Sequence, residues 1–157
     1  LGPIGVFASG GGGLSVFREL RQGLPHESIL YFGDTAHLPY GTKTSTEILH
    51  LVRNILDWMV ARQAKMVIMA CNTSSALALE AVQAEYDIPI MGVILPAARE
   101  AVHVWKRIGV IATPATAQSH AYRNAIREIS PQAEVWETGC PEFVPIVEGN
   151  RFYTPET

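Results

Sequence analysis

Short apolar runs and longer segments of helical spacing take turns along this chain. Apolar runs lie at Ile4 to Phe7, Ile29 to Phe32, Met66 to Ala70, Ile88 to Ile94 and Ile108 to Ile111. Each is too short for a helix and suits a strand buried on both faces of a parallel sheet. Between them, Leu14, Phe17 and Leu20 begin a helix that Gly23 and Pro25 close. Ile48, Leu51, Val52, Ile55 and Met59 form one helical face, and Thr44 with Glu47 makes a capping box at its start. An Ala- and Leu-rich segment after the third run predicts a helix ending near Tyr86, with Thr73, Ser74 and Ser75 as N-cap residue types. Pro96 falls where the first turn of a helix tolerates proline. Thr113 and Pro114 read as N-cap and first residue of a helix that Ala115 to Ile129 continues, and Ala133 to Glu137 is a shorter sixth strand. Five alternations of strand and helix predict an α/β fold with a parallel, doubly wound sheet.

Composition changes this picture little. The chain has 157 residues, 48% of them hydrophobic and 17% charged, enough for a real core. A net charge of −3 without a Lys/Arg cluster argues against nucleic acid as a partner. No apolar run reaches membrane-spanning length, so no membrane partner is expected. The two cysteines, Cys71 and Cys140, form neither a disulfide framework nor a CxxC or Cys/His metal spacing, and a reducing cytoplasm is the simplest location. The chain begins at Leu1 rather than Met and stops in Tyr-Thr-Pro-Glu-Thr without a closing element, which predicts a portion of a longer protein.

The candidate chemistry gathers around Cys71. It ends the third apolar run beside a predicted helix N-terminus, where α/β sheets bind ligands and where the helix dipole favours thiolate. The plain alternative is a buried cysteine serving as a small hydrophobe, the commoner fate of a lone Cys. Gly10 to Gly13 close the first strand. They fit neither the dinucleotide pattern, whose third glycine would fall at Ser15, nor the P-loop, which needs Gly-Lys-Ser/Thr. They leave a backbone able to approach a small ligand and amides able to hold a carboxylate; a tight turn without a ligand is the equal alternative. Ser9, Gly33-Asp34 and Cys71-Asn72-Thr73 all follow strands and so share one sheet edge. His37 reads as a solvated loop residue, and His120 sits in a predicted helix with no metal-partner spacing.

In order along the chain, Ile4-Gly5-Val6-Phe7 with Ser9-Gly10 and Gly12-Gly13-Leu14, Tyr31-Phe32-Gly33-Asp34-Thr35, Pro39-Tyr40-Gly41, Ala70-Cys71-Asn72-Thr73, Ile88-Pro89 to Gly92-Val93-Ile94, Arg107 to Ile111, and Cys140-Pro141-Glu142-Phe143-Val144-Pro145 resemble the cofactor-independent aspartate/glutamate racemase family. The resemblance covers nearly the whole chain and corresponds to the N-terminal portion of the family. It implies a first α/β domain over 1–95, completed in the family by chain returning from the C-terminus, and the opening part of a second over 96–157. It also implies interconversion of L- and D-glutamate for peptidoglycan, by two opposed cysteines that remove and return the α-proton without a cofactor or metal. By resemblance Cys71 is the first of that pair. Ser9, Tyr40, Gly41, Asn72 and Thr73 match positions that hold the substrate, and Thr113 and Thr116 lie near the same pocket.

Two departures stand out. Ala8 occupies a position where the family has an aspartate thought to assist the first cysteine. The Gly-Cys-Thr-His motif of the second cysteine is absent, and Cys140 matches a segment with a packing role instead. The expectation is therefore a racemase-type chain that is itself truncated and inactive, with exposed apolar surface that drives self-association into a homo-oligomer or poor solubility. The alternatives are a racemase of aspartate or another small amino acid, and a non-catalytic remnant that binds amino acids.

Overall fold

The computed structural model describes residues 2–153; Leu1 and residues 154–157, on which the reading of the chain ends partly drew, lie outside the described residues. Four strands, β1 (Ile4–Ala8), β2 (Ile29–Gly33), β3 (Met66–Met69) and β4 (Ile90–Gly92), form one parallel sheet in the order β2-β1-β3-β4. Two more, β5 (Arg107–Ala112) and β6 (Glu134–Gly139), form a second parallel sheet.

The larger sheet is covered on both faces because successive residues of each strand point to opposite sides. From β1, Ile4, Val6 and Ala8 face α1 (Gly13–Gly23), where Val16 and Leu20 meet them. Phe7 faces the other way, onto Ile48, Val52, Ile55, Leu56 and Met59 of α2 (Ser45–Val60). The neighbouring pair in β2 repeats the pattern with aromatic rings. Tyr31 meets Phe17 of α1 edge-on at 5.6 Å, and Phe32 meets Trp58 of α2 at 5.1 Å. The predicted capping box starts α2: Glu47 N–H donates to Thr44 Oγ1, and Thr44 N–H donates to the Glu47 carboxylate at 2.8 Å. That bonding holds the Glu47 carboxyl below the usual carboxylate range.

Two predicted helices are broken in the structure. The segment after β3 divides into α3 (Asn72–Leu77) and α4 (Leu79–Glu85) at Ala78. Cys71, not a hydroxyl residue, occupies the N-cap. Ser74 and Ser75 are buried within α3 and donate to the carbonyls of Cys71 and Met69, which ties α3 to the strand end while α4 runs on to bury Val82. The second break is at His120, in the left-handed region at φ 56°, between α6 (Pro114–Ser119) and α7 (Ala121–Ile129). The buried Glu137 carboxylate fixes it there. His120 Nδ1 lies 2.7 Å from one Glu137 oxygen, and the Arg123 N–H donates to the other at 3.2 Å.

The second sheet is dressed on one face. Ala98 and Val102 of α5 (Ile94–Val104) pack with Ile126 of α7 over Ile108, Val110 and Val135. On its opposite face Ile111 and Trp136 are 68% and 50% exposed. The fourth strand is shorter than its apolar run, since Ile94 already begins α5 and Pro96 stands inside that helix's first turn. A short helix after β6, α8 (Phe143–Glu148), was not anticipated from the sequence.

Candidate active site

In the larger sheet the chain steps outward from β1 to β2 and then returns to the other side of β1 to lay down β3 and β4. The crevice between the carboxyl ends of β1 and β3 is therefore the topological switch point, where open α/β sheets bind ligands. Phe7 pairs with Met69, and Ala70 N–H donates to the Phe7 carbonyl, so two residues further on Ser9 comes opposite Cys71. Their side chains meet: Ser9 Oγ is 3.5 Å from Cys71 Sγ. Cys71 is 8% exposed and belongs to the buried cluster around Phe7 and Met69, yet it also opens onto a cleft of roughly 480 Å³. The position is thus both buried in the core and part of a cleft wall.

Ser9, Cys71, Asn72 and Thr73 line this cleft, with Ala8 beside them. The opposite wall comes from the second sheet's elements: Thr113, Tyr122 and, from α8, Phe143, Val144, Val147 and Glu148. Tyr40 and Gly41 do not line it. Tyr40 is 2% exposed and its hydroxyl donates to Asp34 Oδ2 at 2.5 Å. Burial, that hydrogen bond and the negative charges of Asp34 and Cys71 raise the phenol's pKa far above its usual value. His37 is not simply solvated, because its Nδ1 lies 2.7 Å from the other oxygen of the buried Asp34 carboxylate. Gly41 sits where an added Cβ would come 2.6 Å from Thr113, so the absence of a side chain lets this loop touch α6.

Hydroxyls join the two sheets above the crevice. Thr73 Oγ1 lies 3.0 Å from Thr113 Oγ1, which lies 2.9 Å from Thr116 Oγ1; Thr116 donates to Thr73 at 3.3 Å. Thr113 also caps α6 by accepting from Thr116 N–H. Asn72 accepts a hydrogen bond from the Tyr122 hydroxyl through its Oδ1 at 2.5 Å. Burial raises the pKa of Tyr122 and keeps it a donor.

The glycine turn does hold a carboxylate, supplied by the chain itself. Gly11 N–H donates to Glu148 Oε1 at 3.1 Å, and a Cβ at Gly10 would strike that same oxygen. Burial and then the Glu148 charge raise the pKa of Tyr31, whose hydroxyl donates to the Gly10 carbonyl. Gly13 packs so closely on Ala8 that an added Cβ would lie 2.2 Å from the alanine Cβ. Sequence reasoning missed Glu148 and Tyr122. Glu148 closes the apolar stretch Phe143–Val147 and Tyr122 sits on a helix face, and neither position carries a motif by itself.

Among the described residues no group of three or more His, Cys, Asp or Glu is placed to hold a metal. A larger depression of about 560 Å³ on α1 is lined by helix side chains such as Val16 and Leu20 and touches no strand end. The chemistry of the switch-point cleft is that of a thiol able to exchange a proton, surrounded by hydroxyl and amide groups able to hold a small polar molecule.

The family described as Asp/Glu/hydantoin racemase matches residues 4–148. The glutamate racemase of Gloeothece citriformis is 66% identical over 155 residues, covering 99% of this chain and 56% of that protein. That of a Synechocystis species is 66% identical over 154 residues, 98% of this chain and 55% of the relative. Among solved structures, glutamate racemase isoform RacE1 of Bacillus anthracis superposes with a TM-score of 0.90 at 39% identity, over 93% of this chain and 56% of its own. The Francisella tularensis glutamate racemase in complex with D-glutamate gives 0.89 at 39% identity, over 98% and 58%. The chain thus spans little more than half the length of the relatives it matches. With the match extending from β1 through α8 and taking in every strand end around Cys71, the chain belongs to the Asp/Glu/hydantoin racemase family.

Proposed function

We propose that this chain carries one half of a glutamate racemase site, with Cys71 as the group that exchanges the substrate's α-proton. The observation that carries this reading is the Ser9–Cys71 pair at the switch point, in a chain 66% identical to a glutamate racemase. The Cys71 thiolate takes the α-proton and becomes a thiol, leaving the substrate as a resonance-stabilised carbanion. Return of a proton by the same sulfur regenerates the same enantiomer, whereas delivery to the other face inverts it. The second delivery requires an opposed acid, and we assign it to a cysteine in the length that relatives have beyond this chain. The two-cysteine reaction, the supply of D-glutamate for peptidoglycan and a cytoplasmic location all rest on family membership. No helix of the described residues is long and apolar enough to cross a membrane.

Ser9, Asn72 and Thr73 are assigned to substrate binding from their place on the cleft wall. Tyr40 and Gly41 are assigned a supporting part, since the Tyr40 hydroxyl is committed to Asp34 and Gly41 sits against Thr113. A division between domains near residue 95 fits the start of α5 at Ile94, because α5 packs on the second sheet.

Incubation with L- and D-glutamate in heavy water, followed by proton NMR and chiral analysis, tests the proposal. Loss of the α-proton signal from one enantiomer, without inversion, is the expected result for a lone Cys71. Exchange of aspartate but not glutamate would move the substrate assignment to aspartate. Binding of glutamate with no exchange would leave an amino-acid-binding remnant and contradict the catalytic reading.

A further inference from the structure

Asn72 is the first residue of α3, adjacent to Cys71, and its exposed side chain borders two cavities. One is the cleft that holds Ser9 and Cys71. The other, of roughly 410 Å³, lies between α5, β5 and α7 and is lined mostly by apolar residues such as Ala97, Ala101 and Ile126. A primary amide has nearly the same shape either way round, but one end accepts hydrogen bonds and the other donates them. Facing an amino acid's carboxylate, only the NH2 end attracts. Left alone, the Asn72 carboxamide has room to rotate or to turn into the second cavity.

In the structure Tyr122 holds one of these orientations. It reaches across from α7, on the second sheet, and its hydroxyl donates to Asn72 Oδ1, while Asn72 Nδ2 makes no hydrogen bond within the described residues. We propose, building on the racemase reading above, that Tyr122 is a positioning residue: it pins the Asn72 carboxamide oxygen so that the Nδ2 donors stay available to a substrate carboxylate in the Cys71 cleft. Burial keeps the Tyr122 phenol protonated, so the pin persists throughout the neutral range. The contact also couples the second sheet's helix layer to the end of β3, because Tyr122 lies on α7, which packs on the second sheet, and Asn72 starts the helix that follows β3.

Two readouts test it on the chain as it stands. In a 15N-labelled sample the Asn72 side-chain NH2 should be ordered in the parent and mobile in Tyr122→Phe; equal order in both would overturn the proposal. In calorimetric titrations with glutamate, Tyr122→Phe and Asn72→Ala should each weaken binding, the former about tenfold, equivalent to ~1.4 kcal/mol. The double variant should bind no more weakly than Asn72→Ala alone, because Tyr122 acts only through Asn72. Multiplying losses, or unchanged binding by Tyr122→Phe, would overturn it, since a general structural role predicts additive effects. Should Tyr122→Phe fail to fold, Asn72→Asp keeps an acceptor for Tyr122 and removes the donor; it should lose glutamate binding, and parent-like affinity would contradict the inference. Failure of the parent to bind glutamate would sink the substrate assignment, and the Asn72 NH2 measurement would still decide the role of Tyr122.

Discussion

Ser9 and Cys71 are separated by 62 positions, and their meeting follows from strand register alone. Consecutive parallel strands end on one edge, so the residues just past β1 and β3 must face each other across the switch point. The placing of β1 beside β3 comes from the sheet order, but the shared edge is legible from apolar runs. The fate of Tyr40 is not, because whether a phenol faces a ligand or a buried carboxylate depends on loop conformation that no periodicity encodes. Its hydroxyl holds Asp34, and this has a pH consequence. A tyrosine whose folded pKa is raised contributes stability that is intact below the unfolded value of 10.0 and is lost as the pH climbs above it. Denaturation midpoints should therefore fall as pH rises above about 10, and Tyr40→Phe should reduce that dependence. An identical alkaline slope in the variant would contradict the assignment. At Ala8, where the resemblance implies an aspartate, we make a second residue-level prediction. Ala8→Asp should raise the rate of α-proton exchange, by about 100-fold if the carboxylate acts as general-base assistance, with NMR in heavy water as the check.

Elements were read best where a chemical signal marks their ends. The Thr44–Glu47 box and the Thr113–Pro114 start both fall where the sequence puts them. Thr44→Ala should cost about 1 kcal/mol in a urea titration, the usual worth of an N-cap. No periodicity marks the break at Ala78, which follows Ser74 and Ser75 bonding back to the carbonyls of Cys71 and Met69, and the break at His120 was invisible because its cause is tertiary, His120 and Arg123 sharing the buried Glu137. A loop-to-helix contact of the same kind places Gly41 against Thr113. Gly41→Ala should push these apart, lowering stability by about 1–3 kcal/mol and weakening ligand binding together. A fully stable Gly41→Ala chain with parent-like binding would show that the close approach is dispensable.

For the whole molecule, the contrast between the two sheets decides behaviour. The larger has helices on both faces, while the smaller leaves Ile111 and Trp136 open on one. We expect the isolated chain to self-associate through such surface, with Ile111→Lys shifting sedimentation toward the monomer. A monomeric parent with a sharp, cooperative unfolding transition would count against this. The central claim is narrower: Cys71 at the switch point moves the substrate's α-proton. Its most direct test is glutamate α-proton exchange in heavy water, compared between the parent chain and a folded Cys71→Ala variant. The account predicts exchange from one enantiomer in the parent and none above the uncatalysed background in Cys71→Ala. Equal exchange in both, or none in either under conditions where glutamate is bound, would contradict it.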